Sequence, residues 1–310
     1  MEDHSMVRKI GFLYLAFAGA FVLPASGLGV GTTGAQFLKV GVGARPLAMG
    51  GAFSALADDA NAVNWNPGAL GTVERQNVTA SYNTLFRDQS QGFLGYARPI
   101  GEGKGVIGAG VNYLTVGKIE KRAGDTEDPD STFSNQNFAV NVSYGKSNVA
   151  EGLSVGGNLK YIREVLDTYK GNAAALDFGV LYNTRIDNMS IGGSLRNLGT
   201  KIGPDPLPLT AKGGVAYKAL DKKLILASDL DWLMLDRKLY WDLGGEYWIN
   251  RVLAARAGYQ FGRAADRLGS NLVGFAFGLG IWIEQFRLDY ALVPFGDLGN
   301  THRVTLGWSF

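Results

Sequence analysis

The stretch Ala174-Ala175-Leu176-Asp177-Phe178-Gly179-Val180-Leu181-Tyr182 sets Leu176, Phe178, Val180 and Tyr182 on one side of an extended chain, with Ala175, Asp177 and Gly179 on the other. A period of two is the signature of a β-strand, because successive side chains leave opposite faces of the backbone. The same split recurs along the chain. Leu253, Ala255, Ala257, Tyr259 and Phe261 oppose Arg256, Gly258 and Gln260, and Phe286, Leu288, Tyr290 and Leu292 oppose Arg287 and Asp289. From residue 74 onward, turn signals divide the pattern into about fourteen strands of roughly ten residues, the length a tilted strand needs to cross the hydrocarbon layer. Their centres fall near Thr79, Gly95, Gly110, Val140, Asn158, Asp177, Gly193, Gly214, Ala227, Leu243, Arg256, Phe277, Leu288 and Leu306.

The connections are expected to alternate between short turns and longer loops, as in bacterial transmembrane barrels. Gly101 to Lys104, Arg185 to Asp187, Leu220 to Lys222 and Asn250-Arg251 read as tight. Asp125 to Ser131, Asp167 to Gly171, Gly199 to Pro208, Gly262 to Gly269 and Pro294 to Asn300 read as longer, and Asp236-Arg237 is short where a loop is due.

A soluble β-sandwich or propeller also alternates, so the character of each face decides. The non-apolar face carries Lys160, Asp177, Arg196, Lys212, Asp229, Asp231, Asp242, Glu246, Arg256, Arg287 and Asp289 among many glycines. That is too little charge to cover a soluble surface, and aromatic residues gather near strand ends as an interfacial girdle requires. The expected fold is all-β: a transmembrane antiparallel barrel with these charges facing the lumen.

Composition agrees. The 310 residues are 46% hydrophobic and 19% charged, with 44 glycines, 9 prolines, no cysteine and a formal charge of +2. A charge so small, without a basic cluster, excludes a nucleic-acid partner, and the lack of cysteine excludes a disulfide scaffold or a cysteine-ligated zinc. At the N-terminus Arg8 and Lys9 precede an apolar run from Ile10 to Leu23, followed by Pro24 and Ala25-Ser26-Gly27. This is the pattern of a cleaved signal peptide, expected over residues 1–27 and directing the chain to the outer membrane. A retained anchor would need a longer apolar run.

Between the signal and the barrel at 74–310, residues 28–73 do not alternate, and short helical turns with glycine hinges fit them best. They lack the Gly-Lys-Ser/Thr of a phosphate loop. Gly43-Ala44-Arg45, Met49-Gly50-Gly51-Ala52-Phe53, Ala57-Asp58-Asp59-Ala60 and Trp65-Asn66-Pro67 closely resemble the PorV/PorQ family of outer-membrane proteins, relatives of the FadL-type fatty-acid channels. The likeness is dense over these residues and one of pattern elsewhere. One departure is Asn66-Pro67-Gly68-Ala69-Leu70, where the family usually reads Asn-Pro-Ala-Gly-Leu; the swap is expected to move a turn without removing it. The resemblance implies a fourteen-strand barrel whose N-terminal segment folds back as a plug or hatch. Arg45, Asp58 and Asp59 would then meet inward charges of the wall, and Asn66 and Pro67 would fix a turn. The last strand, with Val304, Leu306, Trp308 and Phe310 on one face, resembles the C-terminal signal read by the barrel-assembly machinery.

Other sites weigh little. His302, the one histidine outside the expected signal, falls on the lipid-facing register near a rim and has no serine partner at a recognisable spacing, so no enzyme is expected. The acidic stretch Gly124 to Asp130 lacks the glycine and terminal glutamate of a calcium loop. No metal or cofactor is expected. The resemblance leaves two functions open: a FadL-like channel for hydrophobic small molecules, or a PorV-like accessory of a type IX protein secretion system; a barrel with a structural role only is a third. The implied partners are outer-membrane lipid and lipopolysaccharide, the barrel-assembly machinery, and a hydrophobic ligand or secretion-system components.

Overall fold

The computed structural model describes residues 33–86, 88–263 and 268–310, so the expected signal at 1–27 lies outside the described residues. Fourteen strands close into one antiparallel barrel in which each strand pairs with its neighbours in sequence and the last with the first. They are β1 (Asn77–Thr84), β2 (Gln89–Pro99), β3 (Val106–Lys121), β4 (Ser131–Ala150), β5 (Leu153–Leu166), β6 (Tyr169–Asn183) and β7 (Met189–Gly199). The ring continues through β8 (Thr210–Ala219), β9 (Leu224–Leu233), β10 (Lys238–Trp248), β11 (Leu253–Phe261), β12 (Phe275–Ile283), β13 (Phe286–Pro294) and β14 (Asn300–Ser309). Every strand centre read from the alternation lies within its strand.

Burial is inverted relative to a soluble protein. Leu94, Val142, Leu159, Phe178, Leu279, Phe286 and Leu306 are exposed, while Lys160, Asp177, Lys212, Asp242, Glu246, Arg256 and Asp289 are buried. A wall with its apolar face outward and its charges inward is stable only when lipid surrounds it, since water outside would leave the apolar face unfavourably hydrated. Closure also satisfies every ladder without an exposed edge.

One rim carries the short turns, two of them only Glu151–Gly152 and Glu284–Gln285, and it also holds the end of β14. By the usual asymmetry of such barrels this rim faces the periplasm. The opposite rim carries residues 122–130, 200–209, 262–263 and 268–274. One expectation is corrected there: Asp167 to Gly171 is not a longer loop, because β6 already begins at Tyr169 and pairs with Leu166. Strands β3 to β6 run for 16, 20, 14 and 15 residues, beyond what the hydrocarbon layer needs, and so project past the membrane on the loop side.

Candidate functional site: the barrel interior

Residues 33–73 contain short helical turns, as a non-alternating, glycine-rich and alanine-rich stretch should. A 3-10 turn at Gln36–Lys39 precedes α1 (Ala44–Ala48), α2 (Ala62–Trp65) and α3 (Pro67–Leu70). Asn66 caps α3: its side-chain oxygen accepts from the Gly68 amide at 3.0 Å, and Pro67 takes the first helical position, where no amide is needed. Gly50 and Gly51 hold φ of 66° and 95°, a reversal that side chains with a Cβ resist.

This inner segment touches inward groups all around the ring. The Ala44 amide donates to Thr305 Oγ1 on β14 at 2.8 Å, the Phe53 and Ser54 amides both donate to Asp229 Oδ2 on β9 at 2.9 Å, and Asn158 Nδ2 on β5 donates to the Val63 carbonyl at 2.7 Å. Asn66 Nδ2 donates to its own segment at Ser54 and to the wall at the Val180 carbonyl, 2.7 and 2.9 Å away. Glycines of the wall permit the approach: a Cβ on Gly68 would lie 2.5 Å from the Gly179 backbone, so the Gly68-Ala69 order puts the residue without a side chain against the wall.

The charges close into a chain of ion pairs. Arg45 Nε and Nη2 donate to the two oxygens of Glu246 at 2.8 and 3.0 Å, and Arg45 Nη1 donates to Asp58 at 2.6 Å. Arg256 donates to Glu246 at 2.6 Å and to Asp289 at 2.7 Å; Arg287 lies 2.9 Å from Asp289 and donates to Asp59. The route Arg45–Glu246–Arg256–Asp289–Arg287–Asp59 thus begins and ends on the inner segment and passes through the wall between. Of the three segment charges expected to meet the wall, Arg45 and Asp59 do so, whereas Asp58 is half-exposed and bonds Arg45 within its own segment. Burial alone would lower the Arg45 pKa, but Asp58 and Glu246 more than offset it and hold the guanidinium above its ordinary value. Burial would likewise raise Asp59, but Arg287 and then Arg45 hold its carboxyl below the usual range.

The remaining lumen charges form two smaller groups. Lys212 lies 2.5, 3.5 and 3.7 Å from Asp242, Asp231 and Asp229, with its ammonium 5.5 Å from the Trp65 ring centroid. Lys160 pairs with Asp177 at 2.9 Å and donates to Asn197, while Arg196 donates to the Asn64 carbonyl at 3.2 Å. Trp65 itself donates to the Val42 carbonyl at 3.0 Å and meets Phe53 edge-on. Met49 is fully buried in the apolar cluster around Phe53, Val63 and Leu70.

Toward the loop rim the lining changes to Phe37, Leu38, Val40, Leu114, Ile162, Ile202 and Leu207, a second apolar cluster. Toward the short-turn rim a cavity of about 530 Å³ opens, lined by Asp58, Asp59, Arg75 and Arg287 together with Leu56, Val73 and Leu181. The sequence reading missed three interior features: the amide chain Asn83–Gln91–Asn112, with bonds of 2.6 and 3.0 Å, the pair Lys39–Asp236, and the buried Arg303. The first and last were within reach, because these residues share the inward parity of their strands; Lys39 was not, since the inner segment has no periodicity to orient it.

Val304, Leu306, Trp308 and Phe310 all face outward, with Trp308 stacked on Phe310 at 4.2 Å. His302 is exposed and shares a 2.7 Å hydrogen bond with Tyr290 Oη. In the acidic loop the Ala123 amide donates to Asp130 at 2.6 Å and Arg122 donates to the Thr126 and Glu127 carbonyls. No group of metal-ligating side chains occurs among the described residues.

Solved structures share the architecture. The Pseudomonas putida toluene transporter TodX aligns with a TM-score of 0.62 at 13% identity, covering 87% of this chain and 98% of its own. The Ralstonia pickettii toluene transporter TbuX aligns at 0.59 and 13%, covering 87% and 97%. At such identity the likeness speaks for the fold. No curated protein sequence matches the chain. The family model described as type IX secretion system protein PorV matches residues 26–185, more than half of the chain and including the whole inner segment described above. This chain is an outer-membrane β-barrel and belongs to the PorV family.

Proposed function

We propose that the barrel passes small hydrophobic molecules across the outer membrane, with residues 33–73 acting as its plug. The observation that carries this reading is the apolar compartment at the loop rim, where Phe37, Leu38 and Val40 of the segment close on Leu114, Ile162 and Leu207 at the outer end of the lumen. A hydrophobic solute arriving from outside would replace segment side chains there and gain apolar burial at the first compartment it meets. Onward passage requires the segment to shift, because the ion-pair chain ties Arg45 and Asp59 to the wall. The toluene transporters with the same fold support this substrate class. The reading includes export by a signal peptide at 1–27, insertion through the C-terminal strand by the barrel-assembly machinery, and an interfacial rather than catalytic role for His302.

The test is toluene uptake by liposomes carrying the purified barrel. Ile162→Asp, which puts a carboxylate into the apolar compartment, is expected to cut uptake severalfold while the barrel still folds. Uptake no greater than in empty liposomes would overturn the channel reading. The family match favours a second role, as an accessory or shuttle of type IX protein export. In that case secretion components or surface proteins would co-purify with the native barrel and toluene uptake would be absent.

A further inference from the structure

The outer wall of β4 to β7 is not evenly covered by side chains. Across β5, β6 and β7 an apolar groove of about 720 Å³ runs between Phe178, Val180 and Leu195, with Gly157 and Gly193 as its floor. Both glycines face outward: Gly157 pairs with Phe178, and Gly193 pairs with Val180, residues that are 50% and 47% exposed. Behind the floor, Gly156 and Gly179 are pressed against the backbone and side chain of Asn66 and Pro67, so inner segment and wall form a double layer of backbone there. The groove is therefore a fixed depression rather than a gap between mobile side chains.

Its end toward the short-turn rim is polar in a specific way. Tyr144 lines the groove, is half-exposed, and donates its hydroxyl to the Lys104 carbonyl at 2.7 Å. Lys146, on the same outward face as Tyr144, is paired in register with the groove residue Val155. Lys104 and Lys146 are both exposed, and neither joins an ion pair among the described residues, whereas the nearby Glu151 lies 3.8 Å from Arg185. An apolar trough ending at an interfacial tyrosine and two free ammonium groups matches an acyl chain that continues into a phosphate headgroup. On the periplasmic rim that lipid is a glycerophospholipid of the inner leaflet.

We propose that this groove is a fixed binding site for one glycerophospholipid of the periplasmic leaflet, with an acyl chain on the Gly157–Gly193 floor and the phosphate at Lys104 and Lys146. The inference rests on the membrane placement of the barrel and is independent of what, if anything, passes through it.

The probe is phosphatidylglycerol with a photoactivatable acyl chain, added to the purified full chain in mild detergent and followed by native mass spectrometry and crosslink mapping. The expected result is one lipid retained under activation that strips all others, with crosslinks at residues 155–157, 178–180 and 193–195. A Cβ at Gly193 would meet nothing nearer than 3.5 Å, so Gly193→Leu can fill the groove without disturbing the inner segment. It should reduce retention about tenfold. Lys104→Glu combined with Lys146→Glu should weaken it as well. Gly245→Leu, an outward position on β10 whose added Cβ has only 3.9 Å neighbours, controls for a generic surface effect and should retain the lipid. Wild-type retention in Gly193→Leu, crosslinks spread evenly around the barrel, or lipopolysaccharide or a polypeptide at these residues instead of phospholipid would each overturn the proposal.

Discussion

Gly179 shows how a single missing side chain can decide what a barrel holds. An added Cβ would collide with Asn66 Oδ1 and lie 2.6 Å from the Gly68 amide. These two groups bond each other as the cap of α3, and the same Asn66 side chain donates through Nδ2 to the Val180 carbonyl of the wall. Gly179→Ala should therefore push Asn66 away from the Val180 carbonyl and lower the stability of the folded barrel by about 1–3 kcal/mol, the usual cost of overpacking. The temperature at which the compact band is lost in semi-native electrophoresis reads this directly. The same reasoning explains why Gly68 rather than Ala69 meets the wall. Residue chemistry also accounts for the buried charges: a guanidinium and a carboxylate withdrawn from water remain ionised only as partners, and the Arg45–Glu246 pair with two parallel bonds meets that condition.

Among the elements, α3 is the most dependent on its cap, since four residues cannot sustain a helix without help at the ends. Asn66→Ala removes the oxygen that receives the Gly68 amide and also the donor that satisfies Ser54 and Val180. The expected loss is about 1–2 kcal/mol, with residues 60–72 gaining amide hydrogen exchange ahead of the strands. Unchanged exchange in that segment would show that wall contacts alone hold it. At the strands, the alternation made β6 legible as far as the membrane reaches. Past it, Tyr169, Lys170 and Asn172 have no lipid face to report, so a polar strand end reads like a loop. Its backbone still pairs with β5, because ladder hydrogen bonds do not depend on side-chain polarity.

For the molecule as a whole, the attachment of the inner segment carries a pH signature. Asp59 has a lowered pKa in the folded state, so its contribution is complete above its ordinary value of 3.8 and disappears as pH falls through the lower folded value. Protease protection of residues 33–73 should therefore be the same at pH 7 and pH 5 and should fall only below about pH 4. Loss of protection already at pH 6 would mean that Asp59 does not anchor the segment. The anchoring also bears on transport, since any passage through the lumen must first break contacts between the segment and several strands.

The sequence by itself determined the strand number, the outward apolar face and the inward charges, because each follows from a local period of two and from which solvent meets each face. Gly50, Gly51, Asn66 and Pro67 stood out through the family resemblance, and the turns they make follow from backbone preferences that act at short range. Which charge meets which was decided only in the tertiary structure. Arg45 and Glu246 are 201 residues apart, and Asp59 and Arg287 are 228 apart. Closing the ring sets the register of all fourteen strands at once, and that register alone brings these groups together. The groove on the outer wall arises in the same way: Gly157 and Gly193 are unremarkable until the pairing of β5, β6 and β7 places them side by side on one face.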